Sequence, residues 1–236
     1  MTVCYIFDRL DDFDESVLEA ALELVSPSRR KKALSYVRMR DRKTSVAAEL
    51  LLRYALKDMG IKGPFPEICN EASGKPFFRD IPSLHFNLSH CALCVACVVG
   101  DEPVGVDVEC TGAYSPELAK FVLNAEELAA VLQAASPEIE FTRLWTMKES
   151  LLKCTGEGLR EDMKNVLATL PHESTGTIPV LDHASLRCDG MSFVSTETDG
   201  HCFHTTASPG GYVLTVCSGR VPLRVCRLNS VTALIR

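Results

Sequence analysis

Residues 105–110 read "GVDVEC", a run with the alternation of a buried strand that nevertheless carries two carboxylates, Asp107 and Glu109. Successive side chains of a strand point to opposite faces. Val104, Val106 and Val108 therefore share one face, and Gly105, Asp107 and Glu109 share the other. Like charges held this close destabilise each other, so the pair needs open water or a cation between its members. Gly105 removes a side chain from the same face, which suits a backbone that something else approaches closely. Taken alone, D-x-E also fits an antiparallel strand with one solvated face, which is the commoner arrangement.

The surrounding chain narrows the choice. Its 236 residues suffice for one large domain or two small ones. With 46% hydrophobic and 24% charged residues it has the composition of a globular protein, not of a disordered chain or a coiled coil. The longest apolar run, "CALCVACVVG" (91–100), is too short to span a bilayer. The opening "MTVCYIFDRLDDFDE" turns acidic at once and lacks the pattern of a signal peptide, so a cytoplasmic protein without a membrane partner is expected. Eleven cysteines without an export signal read as reduced thiols. Cys91, Cys94 and Cys97 are three apart, so on a strand their sulfurs face opposite ways and do not converge on a metal; the same holds for His201 and His204.

A net charge of -6 argues against a general nucleic-acid partner. Within this acidic chain, Ser28 to Lys43 ("SRRKKALSYVRMRDRK") concentrates Arg29, Arg30, Lys31, Lys32, Arg38, Arg40, Arg42 and Lys43 against Asp41 alone. Such a patch is either a solvated helix face or a seat for an anion, phosphate above all.

Apolar spacing predicts a helix in "DESVLEAALELV" ending near Pro27, and a second, strongly amphipathic one in "TSVAAELLLRYALKDMGI" closed by Gly60. Pro and Gly punctuate "GPFPEICNEASGKPFF" into loops and short strands; "LHFNLSH", "ALCVACVVG" and "EPVGVDVE" read as strands. Helical patterns return in "SPELAKFVLNAEELAAVLQAAS" and "EFTRLWTMKESLLKCTGEGL", followed by strand-like pieces that include "GGYVLTVCSG". "ELLLR" (49–53) can be laid over "ESLLK" (149–153), each an acid followed four residues later by a base, which points to two similar halves.

In "RLWTMKESLLK", Glu149 and Lys153 share a helix face, with Trp145 one turn earlier. The spacing fits an ordinary surface ion pair. It also fits a third carboxylate joining Asp107 and Glu109 in a Mg²⁺ site, with lysine neutralising a phosphate.

At this point the chain resembles a known family. "VGVDVE" (104–109) followed by "LWTMKESLLK" (144–153) is similar to the paired signature of the 4'-phosphopantetheinyl transferases, in particular the larger Sfp type. "SPSRRKK" (26–32), "LLLRYAL" (50–56), "GKP" (74–76), "HFNLSH" (85–90) and "GEGL" (156–159) extend the likeness in the family's order. The resemblance implies transfer of the phosphopantetheine arm of coenzyme A to a serine of an apo acyl or peptidyl carrier protein, releasing adenosine 3',5'-bisphosphate. It implies a metal site, Mg²⁺ or Mn²⁺, of Asp107, Glu109 and Glu149, and a catalytic set of Glu149, Lys153 and Lys148. Glu149, or a water on the metal, would help deprotonate the serine, while Lys153 would stabilise phosphate charge. For coenzyme A it implies Arg29 and Lys32 at the 3'-phosphate, Lys75 and Pro76 beside the adenine, and Ser89 and His90 on the phosphates. Many relatives carry an arginine where this chain has Thr44, so either Arg42 or Lys43 would supply that contact or it would be absent. Cys91 also departs from the small polar residue usual after the "SH" pair. Glu126 resembles an acidic position of a family helix, and Cys110 to Phe121, with Tyr114 and Leu118, lies where relatives contact the carrier.

The expected fold is α+β, a pseudo-dimer of two similar halves at 1–102 and 103–236, acting as a monomer with its site at the junction. Two other readings compete: a Mg²⁺-dependent phosphohydrolase or nuclease, and a relative that binds coenzyme A or carrier without catalysis.

Overall fold

The computed structural model describes residues 1–158, 160, 162–167, 191–198 and 200–235, so Leu159 of "GEGL" lies outside the described residues. The first half runs β1 (Thr2–Phe7), α1 (Glu15–Leu22), α2 (Pro27–Ser35), α3 (Met39–Asp58), β2 (Ile68–Asn70), β3 (Pro76–Phe78), β4 (His85–His90) and β5 (Val95–Gly100). The second runs β6 (Gly105–Cys110), α4 (Pro116–Val122), α5 (Ala125–Gln133), α6 (Pro137–Thr155), β7 (Val194–Thr198), β8 (His201–Ser208), β9 (Tyr212–Ser218), β10 (Leu223–Leu228) and α7 (Val231–Ile235).

Local chemistry sets the helix ends. Asp14 caps α1 by accepting from the Val17 amide at 2.9 Å, and Ser26 caps α2. Pro27 opens α2 and does not close α1, which stops at Leu22; proline has no amide to offer a helix interior but fits the first turn, where none is needed. Asn124 and Glu127 form a reciprocal capping box on α5. Gly156 ends α6 with φ 78°, a left-handed conformation that glycine adopts without strain.

Two four-stranded sheets result, ordered β10-β1-β5-β4 and β6-β9-β8-β7. Alternation along each strand sorts the side chains into layers. Val3, Tyr5 and Phe7 of β1 and Val95, Cys97 and Val99 of β5 bury against Val46, Leu50 and Leu51 of α3. From the opposite face of the same strands, Cys4, Ile6, Ala96 and Val98 meet Val106, Val108, Leu214 and Val216 of the second sheet. The far side of the second sheet is covered by α6: Leu144, Met147 and Leu152 cluster with Phe203 and Cys217. The order is therefore helix, sheet, sheet, helix, an α+β fold of two similar halves. Where the edge strands β4 and β6 come together, side chains stitch them. Asn87 Oδ1 accepts from the Val106 amide at 3.0 Å and Ser89 Oγ from the Val108 amide at 3.3 Å.

Two expectations need correction, and one alternative falls away. Residues 103–236 do not form one unit in space, because β10 returns to pair in parallel with β1, Thr2 opposite Leu223, and Leu234 of α7 joins the α3 core. A parallel neighbour needs a long crossover, and the whole second half supplies it. The polar face of β6 is not solvated either. A Cβ on Gly105 would lie 2.0 Å from the Ser150 carbonyl oxygen and 2.5 Å from the Cys154 amide, so α6 lies directly on it. Finally, Lys148 is not a cleft residue. Its side chain has 0% exposure, and its ammonium donates to Glu127 Oε2 and the Met163 carbonyl, both at 2.8 Å. Burial pulls its pKa down, opposed by Glu127. Neighbouring helix positions diverge by about 100°, so Lys148 and Glu149 serve different faces of α6.

Gly105→Ala will therefore force α6 off β6 and destabilise the protein by about 3 kcal/mol or more, read from the denaturant midpoint. Lys148→Ala, which leaves Glu127 a buried unpaired charge, will cost about 3–5 kcal/mol in the same measurement. Wild-type stability in Lys148→Ala would return that lysine to the list of candidates for the cleft.

Candidate active site

The approach of α6 to β6 turns Glu149 and Lys153 toward the carboxylates of the strand. Asp107, only 2% exposed, receives the Lys153 ammonium on Oδ1 at 2.6 Å and the Ser89 hydroxyl on the same oxygen at 2.9 Å. Lys153 also donates to Ser89 Oγ at 3.1 Å and to the Val106 carbonyl at 3.3 Å. Leu88, Ser89, His90, Asp107, Glu109, Trp145, Glu149 and Lys153 line a cleft of about 360 Å³.

One ammonium does not balance three acids. Desolvation first, then Asp107 and, more weakly, Glu149 push the Glu109 carboxyl up to about 7 against the pull of Lys153. Desolvation and Asp107 raise the Glu149 carboxyl as well, again opposed by Lys153. Asp107 Oδ2 and Glu149 Oε1 are buried and have no hydrogen-bond partner among the described residues. A buried oxygen without a donor is costly. Hard oxygen donors with unused lone pairs and too little positive charge suit a small divalent cation. Among the described residues no three His, Cys, Asp or Glu side chains are already arranged closely enough to hold a metal; Lys153 occupies Asp107 instead.

A second cavity of about 320 Å³ adjoins the first, sharing Glu149 and Lys153, and is lined by Ser73, Gly74, Lys75, Pro76, Asn87 and Leu152. Lys75 donates from Nζ to the Cys154 carbonyl at the end of α6, where the helix dipole favours a cation. Desolvation lowers its pKa. The loop carrying Lys75 and Pro76 is thus tied to the helix that carries Glu149.

The basic groups divide. His90 lines the first cleft with Lys153, and its pKa is lowered by desolvation and then by the charges of Lys153, Lys32 and Arg29. Arg42 is turned away, donating from Nε to the Tyr36 carbonyl at 2.8 Å. Lys43 is felt by Asp14 at the start of α1, and Thr44 spends its hydroxyl on the Asp41 carbonyl at 3.1 Å. Arg29 and Lys32 thus act electrostatically on His90, whereas the Arg42 guanidinium is engaged at Tyr36. Cys94 lies between the sheets and Cys97 against α3, on opposite faces as expected. His204 is buried with Nδ1 2.8 Å from Ser195 Oγ, its pKa pushed down to about 4 by desolvation.

Sequence reasoning missed Asn87, which bridges the sheets and lines the second cavity, and Glu127, where attention went to Glu126. The N-x-x-E spacing from Asn124 to Glu127 was the available signal. It also missed Glu49, which carries Ser26, Arg29 and Arg53 at once.

Comparison with known proteins agrees with this architecture. Residues 103–217 match the profile of the 4'-phosphopantetheinyl transferase superfamily, and residues 14–101 match that of the 4'-phosphopantetheinyl transferase N-terminal domain. The 4'-phosphopantetheinyl transferase psf-1 of Bacillus pumilus is 32% identical over 70% of this chain and 72% of its own. The 4'-phosphopantetheinyl transferase Sfp of Bacillus subtilis is 30% identical over 85% and 84% respectively. The L-aminoadipate-semialdehyde dehydrogenase-phosphopantetheinyl transferase of Saccharomyces cerevisiae is 28% identical over 73% and 70%. With two profiles matched in order and identities of this size over most of each partner, the chain belongs to the 4'-phosphopantetheinyl transferases and is an enzyme of that class.

Proposed function

We propose that this enzyme transfers the 4'-phosphopantetheine group of coenzyme A to a serine of an apo acyl or peptidyl carrier protein, with Mg²⁺ held by Asp107, Glu109 and Glu149. The observation that carries the proposal is the convergence of these acids with Lys153 in one cleft, with Asp107 Oδ2 and Glu149 Oε1 left without partners. A divalent ion bound there supplies charge neutralisation for a pyrophosphate and orients it. Mn²⁺ has the same ligand preference.

The residues of the chain divide the remaining work. Arg29 and Lys32 receive the 3'-phosphate, and His90 and Lys153 the pyrophosphate, in keeping with the charges that Lys153, Lys32 and Arg29 bring to His90. Pro76 and the Lys75 loop wall the adjoining cavity, where the adenine is placed. Glu149, which lines the cleft beside Lys153, is placed to accept the proton of the carrier serine. As the serine oxygen bonds to the phosphorus bearing pantetheine, that phosphorus releases its link to adenosine 3',5'-bisphosphate, and Lys153 neutralises the charge that leaves with it. Ser89 keeps Asp107 and Lys153 in register. Beside the cleft, the segment after β6 leads into α4, whose Phe121 is 70% exposed, and we assign carrier contact to this side. Both walls come from one chain, so the proposed working unit is a monomer. Membership of the family sets the phosphohydrolase and nuclease readings aside, and no helix among the described residues is long and apolar enough to cross a membrane.

The test is intact-protein mass spectrometry of apo carriers, one of the fatty-acid type and one of the peptide-synthetase type, incubated with the enzyme, coenzyme A and Mg²⁺. We expect a gain of one phosphopantetheine arm that chelation abolishes. Glu149→Gln and Asp107→Asn should each lower the transfer rate by roughly 10²–10³-fold without unfolding the protein. Binding of coenzyme A without any transfer would instead support a protein that only binds, and near-normal rates in either variant would refute the assignment of the acids. Arg29→Ala combined with Lys32→Ala should weaken coenzyme A about 10–100-fold more than its 3'-dephospho form, measured by calorimetry. Equal losses for both ligands would move the 3'-phosphate elsewhere.

A further inference from the structure

Glu49 is the internal counterpart of Glu149, since each acid has a base four residues on, and it has a different environment. It lies on α3 at 2% exposure, yet no divalent ion is needed to explain it, because protein donors surround it. The Ser26 amide donates to Oε1 at 2.6 Å and the Ser26 hydroxyl to Oε2 at 2.7 Å. Arg53 donates to Oε1 from Nε at 3.0 Å and from Nη2 at 2.7 Å, and its guanidinium is further fixed 4.0 Å above the Phe65 ring. Arg29 Nε stands 3.6 Å from Oε2.

These contacts converge on the start of α2. Ser26 is its cap, accepting from the Arg29 amide at 3.3 Å, so Glu49 holds the first turn of the helix through hydrogen bonds and attracts the Nε edge of Arg29 as an ion pair. Arg53 sits closer to the carboxylate than Arg29 does and takes the greater share of its charge. Arg29 keeps its Nη groups free of hydrogen bonds among the described residues, and its positive charge still reaches His90. Lys32, three residues on, shares the same helix face.

We propose that Glu49 is the positioning residue of the 3'-phosphate clamp: by fixing the first turn of α2 and one edge of Arg29, it aims the free edge of Arg29 and the Lys32 ammonium at the phosphate. The inference rests on the assignment of Arg29 and Lys32 to the 3'-phosphate. A clamp held ready before the ligand arrives loses less ordering entropy on binding. The duplicated acid and base pair thus has two uses: in the second half it faces the reacting phosphate, and in the first it shapes the seat for the distant one.

The experiment is calorimetric titration of the full chain with coenzyme A and with 3'-dephospho-coenzyme A, for the wild type, Glu49→Gln, Glu49→Asp and the Arg29→Ala/Lys32→Ala double variant, with thermal unfolding to confirm that each is folded. The quantity read is the preference for coenzyme A over the dephospho form. A residue that only holds the fold would change both affinities alike and leave this ratio alone. We expect Glu49→Gln to reduce the ratio by roughly tenfold, the worth of one charge-assisted contact. Glu49→Asp, which keeps the charge but shortens the reach, should reduce it too, and carries the test if Glu49→Gln does not fold. A ratio lost in the double variant but intact in both Glu49 variants would overturn the positioning role and leave the phosphate assignment standing. An intact ratio in the double variant would overturn the assignment and the inference together. Tighter coenzyme A binding by Glu49→Gln would show that Glu49 competes with the phosphate for Arg29, which also overturns it.

Discussion

The contact of α6 with β6 at Gly105 is the constraint on which the cleft depends. A helix normally rests on a sheet through a layer of side chains. Here the missing Cβ of Gly105 lets the backbone of Ser150 and Cys154 come down onto the strand itself. From that depth, Lys153 reaches Asp107 Oδ1, Ser89 Oγ and the Val106 carbonyl together. At a greater separation the lysine would still be attracted to the acid, but it could not hold three oxygens at once. The same proximity keeps water from Asp107 and half-buries Glu109 and Glu149, so the electrostatics of the cleft follow from the packing of one glycine.

The two halves show what a repeated local pattern does and does not determine. "ELLLR" and "ESLLK" place an acid and a base on one helix face in both α3 and α6. What differs is the company each acid keeps. Glu49 has a serine cap and two guanidiniums, enough donors to satisfy a buried carboxylate. Glu149 is left with an unpartnered oxygen beside two further acids. Satisfaction by protein donors makes the first a structural anchor, and its absence makes the second a site that can take a ligand.

How far the chain could be read in advance follows from the range over which each signal acts. Short strand-like runs bounded by turn residues gave β4, β5, β6 and β9 close to their true extents, because a strand covered on both faces is apolar over a few consecutive residues. The D-x-E pair and the E-x-x-x-K turn were legible for the same reason. The cover over the polar face of β6 was not, since it depends on a helix some forty residues away; Gly105 was the only local trace of it. Nor was the role of Lys148, where adjacent residues in one motif, Lys148 and Glu149, diverge around the helix and only the position of α5 decides which is buried. The return of β10 to β1 was invisible because "LRVCRL" fits the edge of either sheet equally well. The basic run was legible as a concentration of charge, but the directions of its members depended on the break between α2 and α3, where Arg42 turns back onto Tyr36.

Lys148 and Lys153 show how burial divides two lysines of one helix. Both lie on α6 and both pair with an acid, yet the sequence rules of ion pairing do not distinguish them. Lys148 is closed in with Glu127 and two carbonyl oxygens, so its ammonium is held by fixed partners from several elements and has no route to a ligand. Lys153 remains partly exposed; its partner Asp107, like Glu127, keeps a second oxygen unused, but Asp107 lines the cleft. A pair of that kind can rearrange when another charge enters, since the acid can turn to a cation and the lysine to an anion without leaving either one unpaired. Stability would be greater if every buried oxygen in the cleft had a donor, as around Glu49. The fold satisfies Glu49 and leaves Asp107 and Glu149 each with a buried oxygen short of a donor in the same cleft, and that shared shortfall is what the proposed metal assignment draws on.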